Sequence, residues 1–201
     1  MSRDKSLTKT RIIRCMREEF LAYGYEKASL NRISARVGIT TAALYKHFRN
    51  KADMFSFLVK DTLQDFHELT AGNIKEMETV PGYDPFGCDW ASLWLDFIYQ
   101  HYEGMKLLIC CSAGTEYADF EEKLIRSEAD ESRKCADILT GGELPPNHLT
   151  DIQWHMLAAA YVHLIFEVVR RDMTREAAAD HLRFVEDLFF PGWKKIYAPD
   201  Q

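Results

Sequence analysis

The stretch Ser29-Leu-Asn-Arg-Ile-Ser-Ala-Arg-Val-Gly-Ile-Thr-Thr-Ala-Ala-Leu-Tyr-Lys-His47 decides the fold. Ser29 is suited to N-cap a short helix whose apolar positions, Leu30, Ile33 and Val37, fall at i, i+3 and i+7 on one helical face. Gly38 stops that helix. Thr40 or Thr41 then caps another short helix running to about His47, with Leu44 and Phe48 one turn apart and facing inward. Two short helices joined by a tight, glycine-containing turn are the sequence form of a helix-turn-helix. In that motif the second helix offers its N-terminal residues to base edges in the major groove.

Working outward, Ile12, Ile13, Met16 and Phe20 form one stripe of a preceding helix, and Gly24 is suited to its left-handed C-terminal cap. Asn50, followed three positions later by Asp53, marks the start of a longer helix bearing Met54, Phe55, Leu58, Val59, Leu63 and Phe66. Breaker-dense segments at 80–87 and 141–147 punctuate the rest. The spacing predicts further helices over 88–102, 104–112, 117–139, 150–171 and 174–190. No run alternates apolar and polar residues as a half-buried strand would, so the expected fold class is all-α. The expected division is a three-helix DNA-binding domain over 1–52 and a helical domain over 53–201.

Charge is divided in the same way. Residues 1–52 hold 12 Lys and Arg against 4 Asp and Glu, whereas residues 53–201 hold 13 against 27, for a net charge of −6 overall. A basic segment suits a polyphosphate, because each neutralised phosphate releases condensed counterions, and the acidic remainder orients the encounter by repulsion. Within the motif, small Ala42 and Ala43 let the backbone approach a groove, and the helix N-terminus favours phosphate through its free amides. Tyr45, Lys46, His47 and Lys51 supply donors to phosphate or base edges, and Ser29 can donate to another phosphate.

The run Ile33-Ser-Ala-Arg-Val-Gly-Ile-Thr-Thr-Ala-Ala-Leu-Tyr-Lys-His-Phe-Arg-Asn-Lys-Ala-Asp-Met-Phe55 resembles the TetR family signature, and the resemblance extends over about residues 8–59. It implies a recognition helix in the motif, a long connecting helix, and a helical ligand-binding and dimerising domain. By analogy Tyr45 and Lys51 match phosphate contacts, while Thr40, Thr41, Ala42, Ala43, Lys46 and His47 match positions at the groove or its edge. Ser34 departs from the alanine common in relatives. The family pairs its last two long helices with those of a twin. Here the helix over 150–171 is apolar on more than one face, so Tyr161, Ile165, Val169, Leu182, Val185 and Phe189 are expected at a homodimer interface. Gly192-Trp-Lys194 after Phe189-Phe-Pro191 resembles the closing segment of such regulators.

The middle helices carry an aromatic set with a few polar handles. From it Phe66, Trp90, Trp94, Phe97, His101, Cys111 and Tyr117 are expected to line a small-molecule pocket. With few fixed charges among them, the expected effector is apolar or aromatic and neutral or weakly charged. The protein is then a ligand-responsive repressor of a near-palindromic, double-stranded operator. The alternative is a helical protein-interaction module that kept the motif and lost DNA binding.

Other classes find little support. The start, Met-Ser-Arg-Asp-Lys-Ser6, has no apolar signal region, and no stretch approaches the roughly 18 uninterrupted apolar residues of a membrane span, so a cytoplasmic protein without a membrane partner is expected. The five cysteines, Cys15, Cys88, Cys110, Cys111 and Cys135, show no CxxC spacing. His155 and His163 lie about 12 Å apart along a helix, too far for one metal ion. Cys110 and Cys111 have only Lys106 nearby to activate a thiol. Glu121-Glu122 reads as a solvated helix face. No nucleophile elbow, phosphate loop or HExxH motif is present, so neither catalysis nor a cofactor is expected.

Overall fold

The computed structural model describes residues 2–80, 84–140 and 149–197, without the side chains of residues 2–6 and 71–78. Among the described residues every regular element is a helix. These are α1 (Ser2–Lys27), α2 (Leu30–Val37), α3 (Thr41–Leu44), α4 (Lys51–Thr79), α5 (Trp90–Gln100), α6 (Tyr102–Cys110), α7 (Phe120–Leu139), α8 (Asp151–Arg170) and α9 (Arg175–Tyr197). The all-α expectation holds. The expected break at 141–147 lies outside the described residues.

The chain forms two compact units, one of residues 1–65 and 101–118, the other of 66–100 and 119–201. They do not coincide with the division expected at residue 52. The first half of α4 belongs to the first unit, because Met54, Phe55 and Val59 are buried in the same core as Ile12, Met16 and Phe20 of α1 and Ile33 and Val37 of α2. The Phe20 ring meets Phe55 edge-on at 5.3 Å. Helix α6 joins this unit through Gly104. A Cβ on Gly104 would lie 2.9 Å from the Cβ of Thr62, so only glycine admits this approach of α6 to α4. The Tyr25 amide also donates to the Cys111 carbonyl at 2.9 Å.

Gly24 acts differently from the expected cap. Its φ of 69° and ψ of 167° kink α1, and one more helical turn follows to Lys27. That backbone region is open essentially to glycine alone.

In the second unit α7 packs on α8, and α5 packs on α9. Thr150 and Gln153 close a capping box at the start of α8. By length and composition α8 could cross a bilayer, yet Trp154, Tyr161, Val162, Ile165, Phe166 and Val169 are buried within the unit, as in a core helix. Glu121, expected to be solvated, instead faces α8. It receives His163 Nδ1 at 3.0 Å and pairs with Arg170.

Helix α9 runs past its expected end at residue 190, through Pro191, to Tyr197. Proline removes one backbone donor but not the side-chain packing that follows it. Trp193 and Tyr197 are both buried, with Trp193 meeting Tyr161 at 4.8 Å and Tyr197 stacking on Trp154 at 6.2 Å.

The expected interface residues need correction. Tyr161, Ile165, Val169, Leu182 and Val185 are buried in their own unit, and Phe189 is half-buried against Tyr161 and Trp193. A side chain already in the core has no surface left for a twin. The outward apolar residues are Ile152 and Met156 on α8, 72% and 64% exposed, and Phe184 and Leu188 on α9, 58% and 57% exposed.

Candidate nucleic-acid interface

The motif is fixed from both ends. The Ser29 hydroxyl accepts from the Arg32 amide at 3.4 Å, capping α2, while the Ser29 amide donates to Glu19 Oε1 at 2.8 Å. Glu19 is buried, and Arg32 Nε donates to the same oxygen at 2.7 Å, so the carboxylate is both paired and hydrogen-bonded. Gly38 ends α2 in the left-handed conformation, φ 80° and ψ 34°. The Thr40 hydroxyl then accepts from the Ala43 amide at 3.1 Å, which caps α3.

Regular α-helix ends at Leu44 rather than near His47. Beyond it the turn tightens, with the Lys46 amide donating to Ala43 O at 3.2 Å and the His47 amide to Leu44 O at 3.0 Å. Buried Leu44 and Phe48 anchor this turn, leaving Thr40, Ala42, Tyr45, Lys46 and His47 exposed, with Ala43 half-exposed. Tyr45 is 48% exposed, too open for a core aromatic.

Thr41 has another task. Its hydroxyl donates to Asn31 Oδ1 at 3.0 Å and lies 3.2 Å from Ser34 Oγ, which itself donates to the Asn31 carbonyl at 3.1 Å. The threonine expected at the groove thus ties α3 to α2. Ser34, which looked incidental, is buried at the centre of the tie. The signal for it in the sequence is a pair of hydroxyls seven residues apart across the Gly38 turn. Lys51 is half-buried, donating to the Glu26 carbonyl at 3.1 Å and sitting 4.8 Å from the Tyr25 ring centre. Burial pulls its ammonium below the usual lysine range, although two of its three donors remain for another acceptor.

The second unit contains a cavity of about 110 Å³. Of the residues expected in a pocket, Trp90 and Trp94 line it. Phe66 and Phe97 are buried packing partners of Trp94, at 6.2 and 6.3 Å between ring centres. His101, Cys111 and Tyr117 belong to the first unit. There His101 Nε2 lies 3.0 Å from Asp65 Oδ2, Tyr117 stacks on Phe55 at 6.1 Å, and burial pushes the Cys111 thiol up.

Residues not expected in a pocket also line it, among them Glu128, Glu131 and Ser132 of α7, Tyr161 of α8, and Trp193 and Tyr197 of α9. The expectation of few fixed charges is therefore corrected. Burial, reinforced by Glu131, pushes the Glu128 carboxyl up to about 7. The helical spacing of Glu128, Glu131 and Ser132 placed them on one face, but acidic side chains on a long helix are ordinarily solvated.

Residues 12–56 match the model of the bacterial regulatory proteins of the tetR family. The HTH-type transcriptional regulator TtgR of Pseudomonas putida is 32% identical over 81 residues, which cover 40% of this chain and 37% of TtgR's own length. Among solved structures, a TetR-like transcriptional regulator from Rhodococcus sp. RHA1 superposes with a TM-score of 0.57 at 17% identity, covering 92% of this chain and 96% of that one. NalD, described as the secondary repressor of the MexAB-OprM multidrug efflux pump in Pseudomonas aeruginosa, superposes with a TM-score of 0.55 at 19% identity, covering 94% and 97%.

Proposed function

We propose that this chain, which belongs to the TetR family of bacterial regulatory proteins, is a cytoplasmic transcription repressor that grips its operator as a homodimer and releases it when a small effector binds. It is a DNA-binding regulator and not an enzyme. The observation that carries this reading is the exposed row Thr40, Ala42, Tyr45, Lys46 and His47, projecting from a capped helix that is hydrogen-bonded to α2. Lys46 and His47 offer donors to base edges, and the Ala42 methyl suits a thymine methyl. Ser29, Tyr45 and Lys51 serve the phosphates, which fix register without reading sequence.

A second copy covers Ile152, Met156, Phe184 and Leu188. Each pair is spaced i, i+4, so each helix offers one apolar stripe, and burying one such side chain fully is worth about 1.5–3 kcal/mol. Two motifs related by a two-fold axis then require inverted half-sites in the operator. Effector response follows from covalent continuity, since α4 begins in the unit with the motif and ends in the unit with the cavity. An effector shifts the equilibrium only by its differential affinity for the two arrangements. Tenfold release needs about 1.4 kcal/mol of coupling.

Selection of binding sites from a pool of random duplexes tests the proposal. The enriched sequences should hold two inverted half-sites whose centres lie about 34–36 Å apart, or a multiple of that. Enrichment of a single unpaired motif, or none, would count against it.

A further inference from the structure

The cavity of the second unit joins two chemistries. Trp94, Tyr161, Trp193 and Tyr197 supply aromatic walls, and Glu128 and Glu131 supply an acidic edge from one face of α7. Glu131 accepts from the Ser127 hydroxyl at 2.9 Å. Glu128 has only a long contact from the Ser132 hydroxyl, at 3.5 Å, and among the described residues no lysine, arginine or histidine pairs with it. An ionised carboxylate removed from water without a cation is strongly unfavourable.

A second, independent feature points to an occupant. Trp193, only 7% exposed, lines the same cavity, and among the described residues its indole N–H has no hydrogen-bond partner. Buried donors are almost always satisfied. Here one belongs to a residue that lines the same cavity as Glu128.

We infer that this cavity is a receptor site for a small organic cation, an ammonium or amidinium on a single aromatic ring or short alkyl body, with Glu128 as its counter-ion. The inference rests on the effector-responsive reading above and gives the effector's class. Tryptophan and tyrosine rings attract a cation through their quadrupoles, so the walls and the carboxylate favour the same charge. The cavity, about 110 Å³, is smaller than the roughly 150 Å³ void that takes up benzene. A compact cation is therefore the better match, and a ringed one requires the walls to move apart.

Binding should depend on pH through Glu128. Around it stand Glu131 and Cys135 on α7, Tyr161 on α8 and Tyr197 on α9, with Glu186 of α9 acting on Tyr161, while α4 and α5 line the cavity with uncharged residues. Burial pushes the Cys135 thiol up to about 11 and raises both tyrosines, so these three stay neutral near pH 7. Glu128 titrates near pH 7, and a cation binds its ionised form. Affinity for a permanent cation should therefore rise about tenfold from pH 6 to pH 8 and level off above.

Calorimetry with phenyltrimethylammonium and its neutral isostere tert-butylbenzene tests the site in the full-length protein. The wild type should bind the cation at least tenfold more tightly than the isostere. Glu128→Gln should lose that preference and its pH dependence while holding the isostere as before, with unchanged circular dichroism as the check on folding. Equal affinity for the two probes, or unchanged cation binding by Glu128→Gln, overturns the inference. Operator release is read separately. A cation that binds with the stated preference but leaves DNA affinity untouched supports the site and overturns the effector reading. Release by an uncharged compound, with no preference for the cation, overturns the site and leaves that reading intact.

Discussion

A single hydroxyl illustrates how the motif is held. Thr41→Val keeps the shape of the side chain but removes its contacts to Asn31 and Ser34, and a lost hydrogen bond of this kind costs about 1 kcal/mol. Thermal unfolding should show that loss, with binding weakened on every duplex alike. A change in operator preference at unchanged stability would return Thr41 to the groove. Glu128 gives the second prediction. Its carboxyl stands at about 7 in the folded protein against an ordinary 4.5, so the folded state binds the extra proton between those values. The stabilisation is fully present below pH 4.5 and is lost as pH rises through 7, by up to about 3 kcal/mol. Glu128→Gln should abolish that slope and leave the protein more stable at pH 8, as measured by denaturant unfolding across pH. An unaltered slope would contradict this. Exposed Tyr45, Lys46 and His47 were legible because their neighbours Leu44 and Phe48 fill the inward stripe. The roles of Ser34 and Glu128 were not, since each depends on a partner brought close only by folding.

Among elements, those whose ends carry their own chemistry were readable. Ser29, Thr40 and Asn50 announce helix starts, because their side chains satisfy amides left free by the first turn. Helix α9 was misjudged at its end. Pro191 is a strong local stop, but the tertiary burial of Trp193 and Tyr197 overrides it. The same limit applies to α8. Apolar residues cover several of its faces, and periodicity alone does not say which face meets the core and which stays exposed. The approach of α6 to α4 provides the third prediction. Gly104→Ala should destabilise the protein by about 1–3 kcal/mol, the usual penalty for overpacking, and Thr62→Ala in the same chain should recover part of it. Additive losses in the double variant would mean that the two residues do not oppose each other.

For the whole molecule, the basic first quarter and acidic remainder were plain in the sequence, and the protein–DNA reading needed little beyond them and the motif. The proposed assembly surface was not plain there, because it rests on the exposure of Phe184 and Leu188 and on the burial of Tyr161, Ile165, Val169, Leu182 and Val185. Phe184→Asp should yield a folded monomer by sedimentation at micromolar concentration, with operator affinity falling because the two half-sites no longer act together. A variant that stays dimeric would place the interface elsewhere. The central claim, that a positively charged helix-turn-helix grips duplex DNA, is tested most directly by measuring affinity for a selected duplex as salt is raised. Log affinity should fall linearly with log salt, and Lys51→Ala should flatten the slope by about one unit. Affinity that ignores salt, or no binding at low salt, would contradict the claim and favour a helical module that binds protein instead.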